Sequence, residues 1–320
     1  MKRPRAGLTL AFLLLASCND PARGNRSAVR IVGSSTVFPF TAAVAERFVR
    51  DHAGAPAPVV ESTGTGAGIR LFCGGVGADY PDLLDASRRM TRAEYRRCAA
   101  NDVARLLEVE IGRDGVAFIR ARLAPDLPLT RELLHRALIG GADTARTWRD
   151  LDHRLPAEPI RIFGPPPGSG TRDVLLRLVG ARPGERLRDD GAYVDAGEND
   201  NAIIARLSAD PQAIGIVGYG YLRENEGIVR GMTLNGVAPT PETIADGRYP
   251  ASRPLYLYAK VAHLDAVPGT RGLLKAYVES WSPGGVLAAH GLIPAPEAIR
   301  ARSAQVVAFD TPLDPATLGP

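Results

Sequence analysis

Short apolar runs alternate with small-residue turns and helical stretches along most of the chain. Residues 29–32 (Val-Arg-Ile-Val) read as a strand, and Gly33-Ser34-Ser35-Thr36 as a turn. Phe40, Val44 and Phe48 then recur every four residues, the spacing of one helix face. The same strand–turn–helix unit follows twice more. Residues 58–61 lead through Ser62-Thr63-Gly64-Thr65-Gly66-Ala67-Gly68 into Ile69, Leu71 and Phe72. Residues 81–86 lead through Ser87, Arg88 and Arg89 to Thr91-Arg92-Ala93-Glu94, a capping box that predicts a helix start. Residues 109–111 and 116–119 read as two strands around a polar Gly112-Arg113-Asp114-Gly115 spacer. A helix is predicted over 130–139 with Leu133, Leu134, Ala137 and Leu138 inward, and a short helical connector over 148–151.

The next unit carries the most pronounced turn. A strand over 159–163 enters Pro165-Pro166-Pro167, then Gly168-Ser169-Gly170-Thr171-Arg172, then a helix with Val174, Leu175, Leu178 and Val179 on one face. Beyond it the pattern predicts a polar turn at 195–201, a helix at 202–207 and a buried strand at 213–219. A loop at 237–241, a strand at 253–258 and helices near 272–281 and 285–290 complete the series. Strands alternating with helices predict an α/β protein in which a mixed sheet is flanked by helices on both faces.

The 320 residues suffice for two domains of ordinary size. The net charge of +4 is spread without a Lys/Arg block, and 6% aromatic residues argue against base-stacking platforms, so no nucleic-acid partner is expected. Lys2, Arg3 and Arg5 precede a short apolar run over 8–16, the layout of an export signal. Leu15-Ala16-Ser17-Cys18 resembles a bacterial lipobox, which would lipidate Cys18 and leave the next ten residues, 19–28, as a tether. The alternative is a plain secretory signal with a chance cysteine, giving a secreted rather than a membrane-anchored periplasmic protein. Cys73 and Cys98 then remain in an oxidising compartment, where a disulfide is the expected state.

Which chemistry do the turns support? Gly64-Thr65-Gly66-Ala67-Gly68 lacks the spacing of a dinucleotide loop, and Gly168-Ser169-Gly170 is not a nucleophile elbow. The histidines His52, His135, His153, His263 and His290 show no metal spacing, so neither a metal nor another cofactor is expected. Small-residue turns that open helices do suit an anion. The first N–H groups of a helix lack partners, the helix dipole places positive charge there, and hydroxyls and arginines add donors. In an open α/β sheet such turns gather at the carboxyl ends of the strands.

Taken together, Gly-Ser-Ser-Thr-Val-Phe-Pro at 33–39, Gly-Thr-Gly-Ala-Gly at 64–68, Ala-Ser-Arg-Arg-Met at 86–90 and Gly-Ser-Gly-Thr-Arg at 168–172 resemble the motifs of the phosphate-binding proteins of ABC phosphate transporters. Trp148-Arg149-Asp150-Leu151, residues 213–219 and Tyr249-Pro250 through Arg253-Pro254-Leu255-Tyr256 match as well, in the same order. The resemblance implies a two-lobed periplasmic binding protein with ligand in the interlobe cleft, residues 29–110 plus 252–320 forming one lobe and 111–251 the other. It implies a non-enzymatic, monomeric receptor that delivers inorganic phosphate to membrane permease subunits. Ser35, Thr36 and Val37 match the first phosphate loop, Thr65 the second, Ser87 and Arg88 the third, and Ser169, Gly170 and Thr171 the fourth, with Arg172 beside it. Two departures stand out. Arg88 occupies a position where some members place an aspartate that accepts the ligand's proton, which leaves Asp85 as a candidate acceptor. Pro165 occupies a position where many members carry an arginine, which leaves the charge to Arg172 or Arg88. Selectivity over sulfate, arsenate or phosphonates stays open, as do a receptor for another oxyanion and an exported phosphate-ester hydrolase.

Overall fold

A computed structural model describes residues 28–139, 145–167, 169–182, 184–197 and 200–319. The export signal, Cys18, most of the tether and Gly168 lie outside the described residues. The order begins β1 (Arg30–Gly33), α1 (Phe38–Asp51), β2 (Val59–Ser62), α2 (Thr65–Phe72), β3 (Leu83–Ala86), α3 (Arg92–Ala99) and β4 (Leu106–Ala121). It continues with α4 (Arg131–Leu138), α5 (Trp148–Leu151), β5 (Ile162–Gly164), α6 (Gly170–Leu178), β6 (Tyr193–Asp195), α7 (Asp200–Ala209), β7 (Ile214–Gly218), α8 (Tyr219–Glu224) and β8 (Val229–Gly231). It ends with α9 (Pro241–Ala245), β9 (Ser252–Lys260), α10 (Thr270–Ser280), α11 (Val286–Ala289) and α12 (Glu297–Phe309).

The strands form one mixed sheet in the order β2-β1-β3-β9-β4-β7-β5-β6, with β8 on β4. Its first part alternates cleanly between two cores. Ile31, Leu83, Val109, Leu255 and Leu257 face a core shared with α1 and α10. Their neighbours Val32, Leu84, Leu106, Tyr256 and Tyr258 face a second core containing Ile69, Phe72, Cys73 and Cys98. The period of two along a strand, with both faces covered, explains why these strands read as nearly continuous apolar runs. A third core joins β5, β7 and the second half of β4 to α4–α8.

β4 holds the two parts together. Leu106 to Gly115 pair with β9, and Val116 to Ala121 pair with β7 and β8. The sequence predicted two strands here with a polar turn between them. Instead the Gly112–Gly115 spacer stays in the ladder, because β9 runs alongside it and a register shift between Glu110 and Gly112 absorbs the irregularity. At Gly112 a side chain has no room: a Cβ would meet Leu292 Cδ2 at 2.6 Å and the Ile293 carbonyl oxygen at 2.9 Å. The capping box at Thr91 forms as expected, Thr91 Oγ1 accepting from Glu94 N and Glu94 accepting from Thr91 N. Strands β6 and β8 and helices α8 and α12 were not anticipated.

Cys73 and Cys98 are joined, pinning the end of α2 to α3 inside the second core. A loop of 25 residues closed this way restricts the unfolded chain by about 3 kcal/mol. Replacing both cysteines by serine is expected to lower unfolding stability by roughly that amount, read from urea denaturation.

A carboxyl group is buried in the α1–α10 core. Asp85 lies on β3 with its Oδ2 accepting from Thr41 Oγ1 at 2.7 Å, and Thr41 Oγ1 is hydrogen-bonded in turn to Tyr277 OH. Asp85 Oδ1 has no hydrogen-bond partner, and burial pushes the acid's pKa from 3.8 up to about 7, only partly offset by the Thr41 bond. The native state therefore holds this proton up to about pH 7, while the unfolded chain releases it near pH 4. Between those values the native state binds more protons, so stability falls as pH rises and levels off above about 7. The full effect is about 4 kcal/mol by linkage. Asp85→Asn, compared with the parent in urea between pH 4 and pH 8, is expected to remove that component of the slope.

Candidate functional site

The first turn is shaped by its own backbone. β1 ends at Gly33, where a Cβ would lie 2.0 Å from the Asp85 carbonyl oxygen, so only glycine lets β1 and β3 approach here. Ser34 N donates to that same oxygen at 2.9 Å. Val37 N and Phe38 N then donate to Ser34 O at 3.1 and 3.0 Å, and Thr36 N to Ser34 Oγ at 3.2 Å. The chain wraps around Ser34, buries Val37 and leaves Ser35 exposed and Thr36 half-buried at the start of α1.

The fourth turn mirrors it. Ser169 caps α6, its Oγ accepting from Thr171 N at 3.3 Å, and Gly170 is the first helical residue. A Cβ on Gly170 would lie 2.4 Å from Thr36 Oγ1, so the two turns touch. Around this contact lies a cavity of 450 Å³ lined by Ser35, Thr36, Ser169, Gly170 and Thr171, with Phe40, Asp114, Asp200, Tyr221, Glu224 and His290 among its other walls. Five of the residues singled out in the sequence thus meet in one place.

The others are placed differently. Thr65 and Ser87 pair with each other, their hydroxyl oxygens 3.2 Å apart, while Ser87 N donates to Thr65 Oγ1 at 3.2 Å; neither lines the cavity. Arg88 grips Glu94 with both terminal nitrogens, at 2.8 and 2.7 Å. The hydrogen bonds to Glu94 hold its guanidinium pKa above the usual value, and Asp173 on α6 adds a smaller push in the same direction. Arg172 lies 5.0 Å from the ring centroid of Tyr193 and donates to Pro165 O at 3.3 Å, an oxygen that Tyr193 OH also reaches at 2.6 Å. Its charge stabilises the proline approach. Asp85, the candidate acceptor, faces Thr41 in the core and is only 2% exposed.

A residue that the site assignment passed over supplies the charge. Arg253, at the start of β9, is 6% exposed. Its Nη2 donates to Thr36 Oγ1 at 2.8 Å, its Nη1 to Gly170 O at 3.1 Å, and its Nε and Nη2 to Asp114 Oδ2 at 3.1 and 3.0 Å. Asp114 and Arg253 are register partners on β4 and β9. Arg253 lies in the Arg253-Pro254-Leu255-Tyr256 stretch that matched the family in sequence, where no ligand role was read for it. Asp200 Oδ2 accepts from Gly218 N at 2.9 Å on the opposite wall. Hydroxyls, the N-terminus of α6 and carboxylate acceptors thus line the cavity, with a buried guanidinium bonded to the lining from behind, a donor set of the kind that suits an oxyanion. Among the described residues no three His, Cys, Asp or Glu side chains gather to hold a metal.

Comparison with known proteins finds relatives across most of the chain. "Protein SphX" of Synechococcus elongatus is 30% identical over 264 residues, covering 79% of this chain and 75% of that protein. "Phosphate-binding protein PstS" of Staphylococcus saprophyticus is 28% identical over 282 residues, 84% of this chain and 82% of that protein. The crystal structure of a possible phosphate binding protein from Planctomyces limnophilus superposes with a TM-score of 0.72 at 27% identity, covering 89% of this chain and 98% of that one. A family model described as a PBP superfamily domain matches residues 19–279. With a match across most of its length and the expected two-lobed α/β fold, the chain belongs to the PBP superfamily.

Proposed function

We propose that the protein is an extracytoplasmic receptor that captures inorganic phosphate in this cavity and delivers it to the permease subunits of an ABC transporter. The observation that carries the reading is the Arg253 guanidinium joined to Thr36 and Gly170, where two helix-opening turns meet. The names of PstS and the Planctomyces protein point to the same ligand. The lipobox-like Leu15-Ala16-Ser17-Cys18 supports attachment to a membrane through lipid on Cys18. The lobe division expected from sequence, 29–110 plus 252–320 against 111–251, is retained as part of the proposal. The exchange of β4 partners after Gly115 and the return of the chain into β9 at Ser252 support two crossings near those positions.

In this reading Ser35, Thr36, Ser169 and Thr171 donate hydroxyls, and the start of α6 donates N–H groups. Arg253 contributes the cation, at about 1.5–3 kcal/mol per charge-assisted bond. Asp114 accepts the remaining proton of the ligand. A carboxylate beside an oxyanion is repulsive unless the oxyanion brings a proton to share, which hydrogen phosphate does and sulfate at neutral pH does not. Val37, Thr65, Ser87, Arg88 and Arg172 support the turns from behind.

Calorimetry on the ligand-stripped mature protein is expected to show micromolar or tighter binding of phosphate and none of sulfate. Arg253→Gln and Ser169→Ala are each expected to weaken binding more than tenfold. The absence of heat with phosphate overturns the reading.

A further inference from the structure

The cavity is short of cations. Its lining holds three carboxylates, Asp114, Asp200 and Glu224, and, among the described residues, no lysine or arginine. Arg253 is bonded to the lining from behind and is already paired with Asp114. The one basic side chain in the lining is His290. Histidine changes its charge between about pH 5 and 8, so the charge of this wall depends on the state of one ring.

The local backbone fixes where that ring stands. His290 follows directly on α11, its N donating to Val286 O and Leu287 O, both at 3.2 Å. Gly291 comes next at φ +88°, a left-handed position that suits glycine. Gly291 N donates to Ala288 O at 3.1 Å and Leu292 N to Leu287 O at 3.0 Å. These two bonds form a Schellman motif, and its apolar partners Leu287 and Leu292 are both buried in the α1–α10 core. Ile293 then exchanges two backbone bonds, of 2.7 and 3.0 Å, with Arg113, the neighbour of Asp114 on β4. The helix end is thus tied both to its own core and to the strand that carries Asp114. His290 itself is exposed, and among the described residues its ring forms no hydrogen bond or ion pair. The ring nitrogens are left for water or for a ligand.

We propose that His290 is the pH-responsive cation of the anion site: protonated, it attracts the oxyanion and tightens binding, and neutral, it does not. A cavity of 450 Å³ is about 8 Å on a side, the screening length at physiological salt, so a charge on one wall acts on an anion held at the Ser35–Thr36 and Ser169–Thr171 turns. Asp200 of α7, Tyr221 and Glu224 of α8 and Asp114 of β4 share the lining with the ring, while α1 and α6 add no charged group to it. The carboxylates repel an anion, and a proton on His290 offsets that repulsion. This inference rests on the proposed oxyanion site and adds its regulation by pH.

The test is calorimetry with inorganic phosphate on the ligand-stripped mature protein and on His290→Gln, from about pH 5.5 to about pH 8.5. Phosphate and the core carboxyl of Asp85 titrate alongside both proteins, so their effects cancel in the ratio of the two dissociation constants at each pH. That ratio, variant over parent, is expected to be fivefold or more at the acid end and to fall within twofold at the alkaline end. His290→Lys, which keeps the charge throughout, is expected to bind phosphate at least threefold more tightly than the parent at the alkaline end. The reciprocal effect is read by NMR: with phosphate present, the His290 ring resonances keep their protonated positions to higher pH. A ratio that stays constant with pH overturns the inference and leaves the phosphate reading standing, as does a lysine variant no tighter than the parent or a ring that titrates identically with and without phosphate. The absence of heat with phosphate from the parent at every pH overturns the oxyanion site itself.

Discussion

A guanidinium almost wholly removed from water sits where the first turn, the fourth turn and the central strand meet. Burying such a charge costs several kcal/mol unless its donors find acceptors. Arg253 meets that condition with Asp114 Oδ2, Thr36 Oγ1 and Gly170 O. The acceptors come from three separate segments, so the arrangement is satisfied only when all three are in place. Gly170 matters for the same reason: a side chain there would displace the Thr36 hydroxyl and take one acceptor from the arginine. The cavity geometry thus depends on one buried ion pair held between neighbouring strands.

The sheet supplies the platform for that pair. Because β4 pairs with β9 up to Gly115↔Ser252 and with β7 from Val116↔Gly218, the ladder runs continuously beneath the cavity. Asp114 and Arg253 lie near the place where the pairing changes, and hence where a rotation of one lobe against the other would act. Gly33 acts at longer range, by letting β1 meet β3.

Much of this was legible in the chain itself. The strand–turn–helix recurrence located the turns that open α1 and α6 and meet at the cavity, because a period of two giving way to a period of 3.6 is written in the apolar positions. The pairing of Cys73 with Cys98 followed from compartment and count. Other features carried no local signal. Helix α12 buries Ser303 and Val307 but little else, so its apolar face is too narrow to read. Strands β6 and β8 are three residues each, below the length at which alternation can register. Gly112-Arg113-Asp114-Gly115 has the composition of a turn, and only pairing with a strand over a hundred residues away keeps it extended. Partners are harder still to read: nothing local says that Arg88 is taken by Glu94 and Arg172 by Tyr193 and Pro165, while Arg253 reaches the lining residues Thr36, Gly170 and Asp114.

That distribution of arginines decides how the proposed site attracts an anion. Arg88 is neutralised by Glu94 and Arg253 by Asp114, so the cradle carries little net positive charge of its own. Beyond the shared charge of Arg253, its pull comes from oriented dipoles, the hydroxyls and the N–H groups at the start of α6, which weaken sharply in water and strengthen as water leaves. Such a site is only as good as its closure. The Pro165–Pro167 approach, braced by Arg172 and Tyr193 at the Pro165 carbonyl, fits that requirement. A stiff entry into α6 lets the dipoles be aimed before the ligand arrives, so that little ordering cost remains at binding. In this chain rigidity at the fourth turn does the work that an additional local cation would otherwise do, and the buried pair on β4 and β9 sets how closely the two turns come together.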